Sequence, residues 1–415
     1  GIGLIIAPAE AVKLPSLSAN TAPIQTEEGA TNSIDSQEHE TLKAEPTIAT
    51  PQTEPAAWTF MVYLNADDYT LEEAAIGDFL EMASVGSDPN INIVVQLDRF
   101  SGYDSSYDNW TDCRRYFITE GLTPADGNEI MTIGEVNMGD PNTLVDFVAW
   151  TISNYPAENY ALVISSHGKG WQGCCWDEAS GSDNLELAEL KSSLSYITEV
   201  TGRPIDLVGF DACLMGLTEV GYEIRNYASV MVASEHAEPS LGWPYDSILT
   251  DLSNNPVMDA GQLATTIVER YNDSYKPTGY TMSAIDLTHM DTLARSINDL
   301  AVAMSTYETI DVSAVGDLAQ AVTDALDEAV IAELHGNTWA GSHGLAIYFP
   351  KTANEFELAY SSTDIAFAQD TNWDEFLISY YTDPEESWIA DARLDAQQYY
   401  SKDHVDLYDF CERLK

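Results

Sequence analysis

Two short apolar runs constrain this chain more than any other feature. Each is closed by a small-residue turn that carries one reactive side chain. The first reads Tyr160-Ala-Leu-Val-Ile-Ser-Ser-His167-Gly168-Lys-Gly170-Trp171, and the second, about 45 residues later, Ile205-Asp-Leu-Val-Gly-Phe-Asp211-Ala-Cys213-Leu-Met-Gly216. Such runs read as strands buried on both faces, the pattern of a parallel sheet. Ligands in open α/β sheets lie beyond the carboxyl ends of the strands. If the two strands are neighbours, an imidazole and a thiol share one crevice. That is the minimum constellation for a cysteine nucleophile with a histidine base.

The surrounding pattern supports that frame. Strand-like runs over 58–64, 91–97, 115–119, 229–234 and 280–287 alternate with helical spacing over 71–85, 143–154, 216–226, 260–275, 291–307, 315–333 and 372–381. A further helix starts near Leu185 with Asn184 as its cap, and 345–349 reads as a late strand. Alternation of this kind predicts an α/β fold with a mostly parallel central sheet covered on both faces. Residues 12–56, rich in Ser, Thr, Pro, Glu and Ala, cannot bury enough apolar surface to offset chain entropy and read as a disordered linker or pro-segment. Residues 1–11 resemble the end of a secretory signal, with a small-x-small site at Ala7-Pro8-Ala9 or Ala9-Glu10-Ala11. The main domain is expected over 57–382, followed by an acidic, aromatic tail over 383–415 without assignment.

With 68 acidic against 17 basic residues the formal charge is −51. That excludes a general nucleic-acid binder and disfavours docking on anionic lipid. A negative field suits basic peptides or calcium. The signal-like residues 1–11 lead to the expectation that the chain is secreted or displayed at the cell surface, and no other stretch reaches the roughly 18 apolar residues of a membrane span. Five cysteines leave at least one unpaired; two bridges among the other four remain open. A zinc site built from Cys174 and Cys175 with His167 is disfavoured, because adjacent cysteines do not ligate one ion comfortably.

Cys213 is the expected nucleophile. It sits at a turn into a helix expected to begin near Leu214, whose dipole would lower the thiol pKa and whose N–H groups could hold an oxyanion. His167 would act as general base and then as proton donor to the leaving amine. The N–H groups of Gly168 and Cys213 are the oxyanion candidates. Asp211, two residues before Cys213, faces the same side of its strand. A buried aspartate is costly unless paired, and a substrate arginine or lysine would supply the pair; capping of a local turn is the alternative. Asp246 and Glu235 are rival second acids for substrate binding. His343, in a second Ser-His-Gly tripeptide, precedes its strand and falls on the far edge if that strand is parallel. His236 follows a strand on the correct edge. Asp104, Asp108 and Asp112, and Asp177, Glu178 and Asp183, are candidate calcium acids, although no EF-hand loop is present.

The chain resembles clostripain-type cysteine peptidases of the caspase-like superfamily. The matching pieces are Trp58-Thr-Phe-Met-Val-Tyr-Leu-Asn-Ala-Asp67, Ser166-His-Gly with Gly170-Trp171, Phe210-Asp-Ala-Cys-Leu-Met-Gly216 and Gly344-Leu-Ala-Ile-Tyr-Phe-Pro350. The resemblance implies a three-layer α/β/α sandwich, a His167–Cys213 dyad, cleavage after arginine or lysine with a specificity aspartate at Asp211, and no organic cofactor. It implies calcium dependence for some members. Such enzymes are often matured by cleavage between the two catalytic strands, yet residues 170–190 contain no Lys or Arg. Removal of residues 1–56, which include Lys13 and Lys43, is the alternative activation. A non-catalytic surface binding module and a transpeptidase are the competing functions.

Overall fold

A computed structural model describes residues 55–277, 279–305, 312–361, 364–382, 387–396 and 403–415. The signal-like segment and nearly all of the 12–56 segment lie outside the described residues.

Thirteen strands occur among them: β1 (Ala56–Ala66), β2 (Ile91–Arg99), β3 (Cys113–Phe117), β4 (Met131–Gly134), β5 (Ala157–Ser165), β6 (Cys174–Asp177), β7 (Asp183–Leu185), β8 (Ile205–Asp211), β9 (Ala228–Ala233), β10 (Thr281–Asp286), β11 (Val330–His335), β12 (Ala346–Tyr348) and β13 (His404–Asp406). Nine form one sheet in the order β11-β10-β9-β8-β5-β1-β2-β3-β4. Its centre, β2-β1-β5-β8-β9, is parallel throughout, and antiparallel strands finish both edges. From β1 the chain first builds outward through β2, then returns to the other side of β1 with β5. The strand order therefore reverses between β1 and β5, the place where such sheets leave a crevice.

Period-two alternation sends side chains into two separate cores. Trp58, Phe60, Val62 and Leu64 of β1, with Val163 and Leu207, pack on one face against helices Glu72–Val85, Tyr245–Asn254 and Ala260–Tyr275. Met61, Tyr63, Leu162, Ile164 and Phe210 pack on the other against helices Pro141–Asn154, Leu187–Thr201, Thr218–Ile224 and Met290–Ser305. The result is the expected three-layer α/β/α sandwich.

Several elements depart from expectation. The helix after the second apolar run starts at Thr218, not near Leu214. Before it, Leu214 adopts a left-handed φ of 64°, its N–H bonds the His236 carbonyl, and the Gly216 N–H bonds that of Ser234. The helix expected from Leu185 is Leu187–Thr201, capped by Glu186 in a capping box with Glu189, while Asn184 and Leu185 belong to β7. The long helix of 315–333 ends at Ala329, and the β-branched Val330 and Ile331 begin edge strand β11. The 345–349 strand is not in the main sheet: β12 pairs antiparallel with β13. That pairing incorporates the C-terminal segment, whose helix Leu407–Leu414 buries Phe410 and Cys411. No helix among the described residues is long and apolar enough to cross a membrane.

Two buried carboxyls set a pH dependence of stability. Glu219 is pushed up to about 7 by burial, although Tyr360 Oη and the Tyr348 N–H bond it. Glu235 is likewise raised to about 7 by burial, against the opposing effect of its bond from Ser342. Raised folded-state values mean that the native state binds more protons than the unfolded chain between about pH 4.5 and 7. Their contribution is complete below that window and is lost as pH rises through it. Thermal midpoints measured at constant ionic strength should rise as pH falls from 7.5 to 5.5, and Glu219→Gln should flatten the rise.

Candidate active site

The adjacency inferred from the sequence is met. β5 and β8 pair in parallel with Ser165 opposite Asp211, and the Ser166 N–H continues the ladder to the Asp211 carbonyl at 3.2 Å. His167 and Cys213 leave these neighbouring strand ends and line one cleft of ≈ 160 Å³, together with Leu64, Asn65 and Thr70 from the end of β1. The two turns touch. A Cβ at Gly168 would lie 2.3 Å from the Cys213 carbonyl oxygen, so only glycine permits this approach.

The His167 loop is held from both sides. Asn65 Nδ2 donates to Ser166 Oγ at 3.3 Å and to the Trp176 carbonyl at 2.9 Å. The Cys175 N–H donates to the His167 carbonyl at 3.0 Å. The imidazole is 42 % exposed, and its Nε2 lies 3.0 Å from Thr70 Oγ1 and 3.4 Å from Asp68 Oδ1.

Cys213 is half-buried, whereas Cys113, Cys174, Cys175 and Cys411 are fully buried; all five are free thiols, so neither open bridge forms. The expected helix-dipole activation of Cys213 is corrected. Burial pushes its thiol up, the Asp211 charge adds to that, and the Glu238 N–H, 3.3 Å from Sγ, opposes it. With no helix starting at Leu214, the dipole argument loses its helix. The N–H groups of Gly168 and Cys213 donate to no carbonyl among the described residues.

Asp211 lies at the cleft floor, only 6 % exposed. Tyr245 Oη donates to its Oδ2 at 2.8 Å, the Trp243 N–H at 3.2 Å and Ser165 Oγ at 3.4 Å. Burial raises it, and these donors pull it back, as does a hydrogen bond from the Glu238 carboxyl. Glu238 is raised well above the usual carboxylate range by burial and then by Asp211, and Asp78 is raised by burial and then by Asp211. Three carboxyls, Asp211, Glu238 and Asp78, therefore border the same cleft.

The rival acids do not. Asp246 is exposed in the first turn of helix Tyr245–Asn254, where its Oδ1 accepts from the Ser247 N–H. Glu235 is buried and does not line the cleft; it is bonded by Ser342 Oγ and by the Gly344 N–H at 2.9 Å. His343 stacks on Tyr408 and His236 on Trp339, with ring centroids 4.2 and 3.6 Å apart, and neither lines the cleft. Sequence reasoning missed Asp78, Glu238, Asp68 and Thr70. Asp78 had a visible signal, because it interrupts the apolar stripe of Ala75, Phe79 and Met82 on one helix face. Asp68 and Thr70 follow the carboxyl end of a buried strand, the edge where ligands bind.

The loop acids are spent elsewhere. Asp104 and Asp112 pair with Arg99 and Arg114, and Asp108 accepts from the Asp126 N–H. Glu178 is exposed, and Asp183 accepts from Asn137. Asp177 instead converges with Asp67 and Glu135, their carboxylate oxygens all within 4.8 Å. Fully buried Asp98 is raised by burial and then by the charges of Glu135, Asp67 and Asp177, against a backbone N–H of Arg99.

The Clostripain family model, Peptidase_C11, matches residues 62–414. Clostripain of Hathewaya histolytica is 26% identical over 443 residues, covering 81% of this chain and 83% of that protein. A secreted C11 cysteine protease from Bacteroides thetaiotaomicron, solved with an irreversible peptide inhibitor, superposes with a TM-score of 0.60 at 21% identity, covering 77% of this chain and 100% of that one. An inactive zymogen C11 protease from Parabacteroides distasonis gives 0.57 at 18% identity, covering 79% and 99%. At these identities the solved structures speak for the fold.

Proposed function

The chain belongs to the clostripain family of cysteine peptidases, and from that premise we propose an endopeptidase that cleaves after arginine or lysine through Cys213 and His167. The observation that carries this reading is one cleft holding the imidazole, the thiol and a floor of buried acids. Substrates are polypeptides. A guanidinium or ammonium entering the floor meets Asp211 already oriented by Tyr245 and Trp243, and ionisation of Glu238 or Asp78 would follow.

Burial raises the Cys213 thiol, so the reaction begins with proton transfer from Sγ to the imidazole as sulfur attacks the carbonyl carbon. The oxyanion faces the N–H groups of Gly168 and Cys213. Collapse breaks the C–N bond, and the imidazolium gives its proton to the departing amine. Water, deprotonated by His167, then hydrolyses the thioester and regenerates the thiol. Secretion or surface display is part of the proposal, supported by the signal-like residues 1–11 and by the secreted Bacteroides relative.

Calcium fits this reading at Asp67, Glu135 and Asp177, with Asp98 beside them. Hard carboxylate oxygens are its preferred ligands. Its role there is to neutralise crowded acids, of which Asp67 is pushed up to about 7 by burial and by Asp177.

On fluorogenic peptides ending in Arg, Lys, Asp or Leu, the protein without residues 1–56 should cleave only after Arg and Lys, and Cys213→Ala should abolish turnover. Asp211→Asn should reduce kcat/KM on basic peptides by about 10²-fold, the value of a lost buried charge-assisted bond of about 3 kcal/mol. Preference for Asp or Leu would sink the basic pocket. Separately, millimolar calcium should raise the thermal midpoint of wild type, and Asp177→Asn should remove that rise. An unchanged midpoint in wild type would argue against the cation.

A further inference from the structure

The hydrogens around His167 can be placed from the heavy atoms. Thr70 Oγ1 lies between two partners, Asp68 Oδ1 and His167 Nε2. Ionised Asp68 only accepts, and it already takes the Thr70 backbone N–H. The Thr70 hydroxyl must therefore spend its one hydrogen on Asp68. Its oxygen is then left to accept, and the group facing it must donate. That group is Nε2, 3.0 Å away, with Asp68 Oδ1 itself 3.4 Å from the same nitrogen.

We infer that Asp68, acting with Thr70, is a positioning element of the reaction, holding His167 in the tautomer that carries its hydrogen on Nε2 and leaves the Nδ1 lone pair as the base for the Cys213 thiol. The inference rests on His167 and Cys213 being the reacting pair, and it extends that pair by a group that touches neither substrate nor sulfur. When the imidazole takes the thiol proton on Nδ1, the Nε2–H bond becomes charge-assisted and the nearby carboxylate stabilises the cation. The proton stays on Nε2 throughout, and Asp68 remains ionised.

The fold is suited to this. Asp68 is 6 % exposed and sits just past β1, across the strand-order reversal from β5, so the orienting group and the base come from adjacent strands. Asn65, three residues earlier, bonds Ser166 beside the histidine and also accepts the Asp67 N–H, which ties the Asp68 turn and the His167 turn to one side chain.

The test substitutes Asp68→Asn, Asp68→Glu and Thr70→Val, with His167→Ala and Cys213→Ala alongside. An asparagine amide can donate to Thr70 Oγ1 and turn the hydroxyl towards Nε2, which favours the wrong tautomer. Asp68→Asn should lower kcat by about 10²-fold or more, as tautomer errors do in triads, with KM changed less than about twofold. Thr70→Val should give a smaller loss in kcat, and Asp68→Glu should recover part of the Asp68→Asn loss. If His167→Ala and Cys213→Ala are inactive while Asp68→Asn keeps kcat within about twofold, the positioning role is overturned and the dyad stands. If Asp68→Asn loses activity through KM and thermal midpoint together, and Thr70→Val does likewise, the turn is only structural and the inference fails. Retained activity in His167→Ala would overturn both the dyad and the inference.

Discussion

The catalytic edge depends on the in-register parallel pairing of β5 with β8. Ser165 lies opposite Asp211, the Ser166 N–H bonds the Asp211 carbonyl, and Gly168 rests against the Cys213 carbonyl. A one-residue slip would turn Asp211 away from Tyr245 and towards the opposite core. The same register that buries Val163 and Leu207 on one face thus brings Asp211, His167 and Cys213 to the lining of one cleft. Trp243 fixes the floor from below, its ring against Gly209 where any Cβ would lie 2.6 Å from it.

Electrostatics then separate the site into two regions. The floor concentrates carboxyls in a poorly hydrated space, where burial raises all three and the charge of Asp211 raises Glu238 and Asp78 further. The rim beyond His167 carries Asp68 in the opposite condition. Burial would raise it, but the Thr70 hydroxyl and N–H and then the imidazole bring it below the usual carboxylate range. Acids of one type are thereby shifted in opposite directions around one site, while burial raises the Cys213 thiol. A resting thiol of this kind places the burden of activation on His167, which makes the orientation of that ring the sensitive point of the site.

Much of this was legible in the sequence because it follows from local pattern. Uninterrupted Val, Ile and Leu runs marked the parallel strands, and the order of the two reactive turns gave their shared edge. What was hidden depends on tertiary geometry. The segment from Leu214 to Leu217 reads as the start of a helix, yet it turns through a left-handed Leu214 and bonds the carbonyls of His236 and Ser234. Glu235 and Glu238 are three residues apart, and only the path of the chain after β9 sends one to Ser342 and the other to Asp211. The converging acids Asp67, Glu135 and Asp177 come from three separate stretches of chain, so no local spacing could announce them. The C-terminal segment likewise acquires meaning only through β13 pairing with β12.

The most direct test of the account is covalent. The protein lacking residues 1–56 is incubated with a peptidyl-arginine acyloxymethyl ketone, and the adduct is located by intact mass and peptide mapping. One equivalent on Cys213, blocked by prior addition of a basic peptide and absent for the corresponding peptidyl-aspartate reagent, is the expected result. An adduct on any other cysteine, or equal labelling by both reagents, would contradict a Cys213 nucleophile served by an acidic pocket.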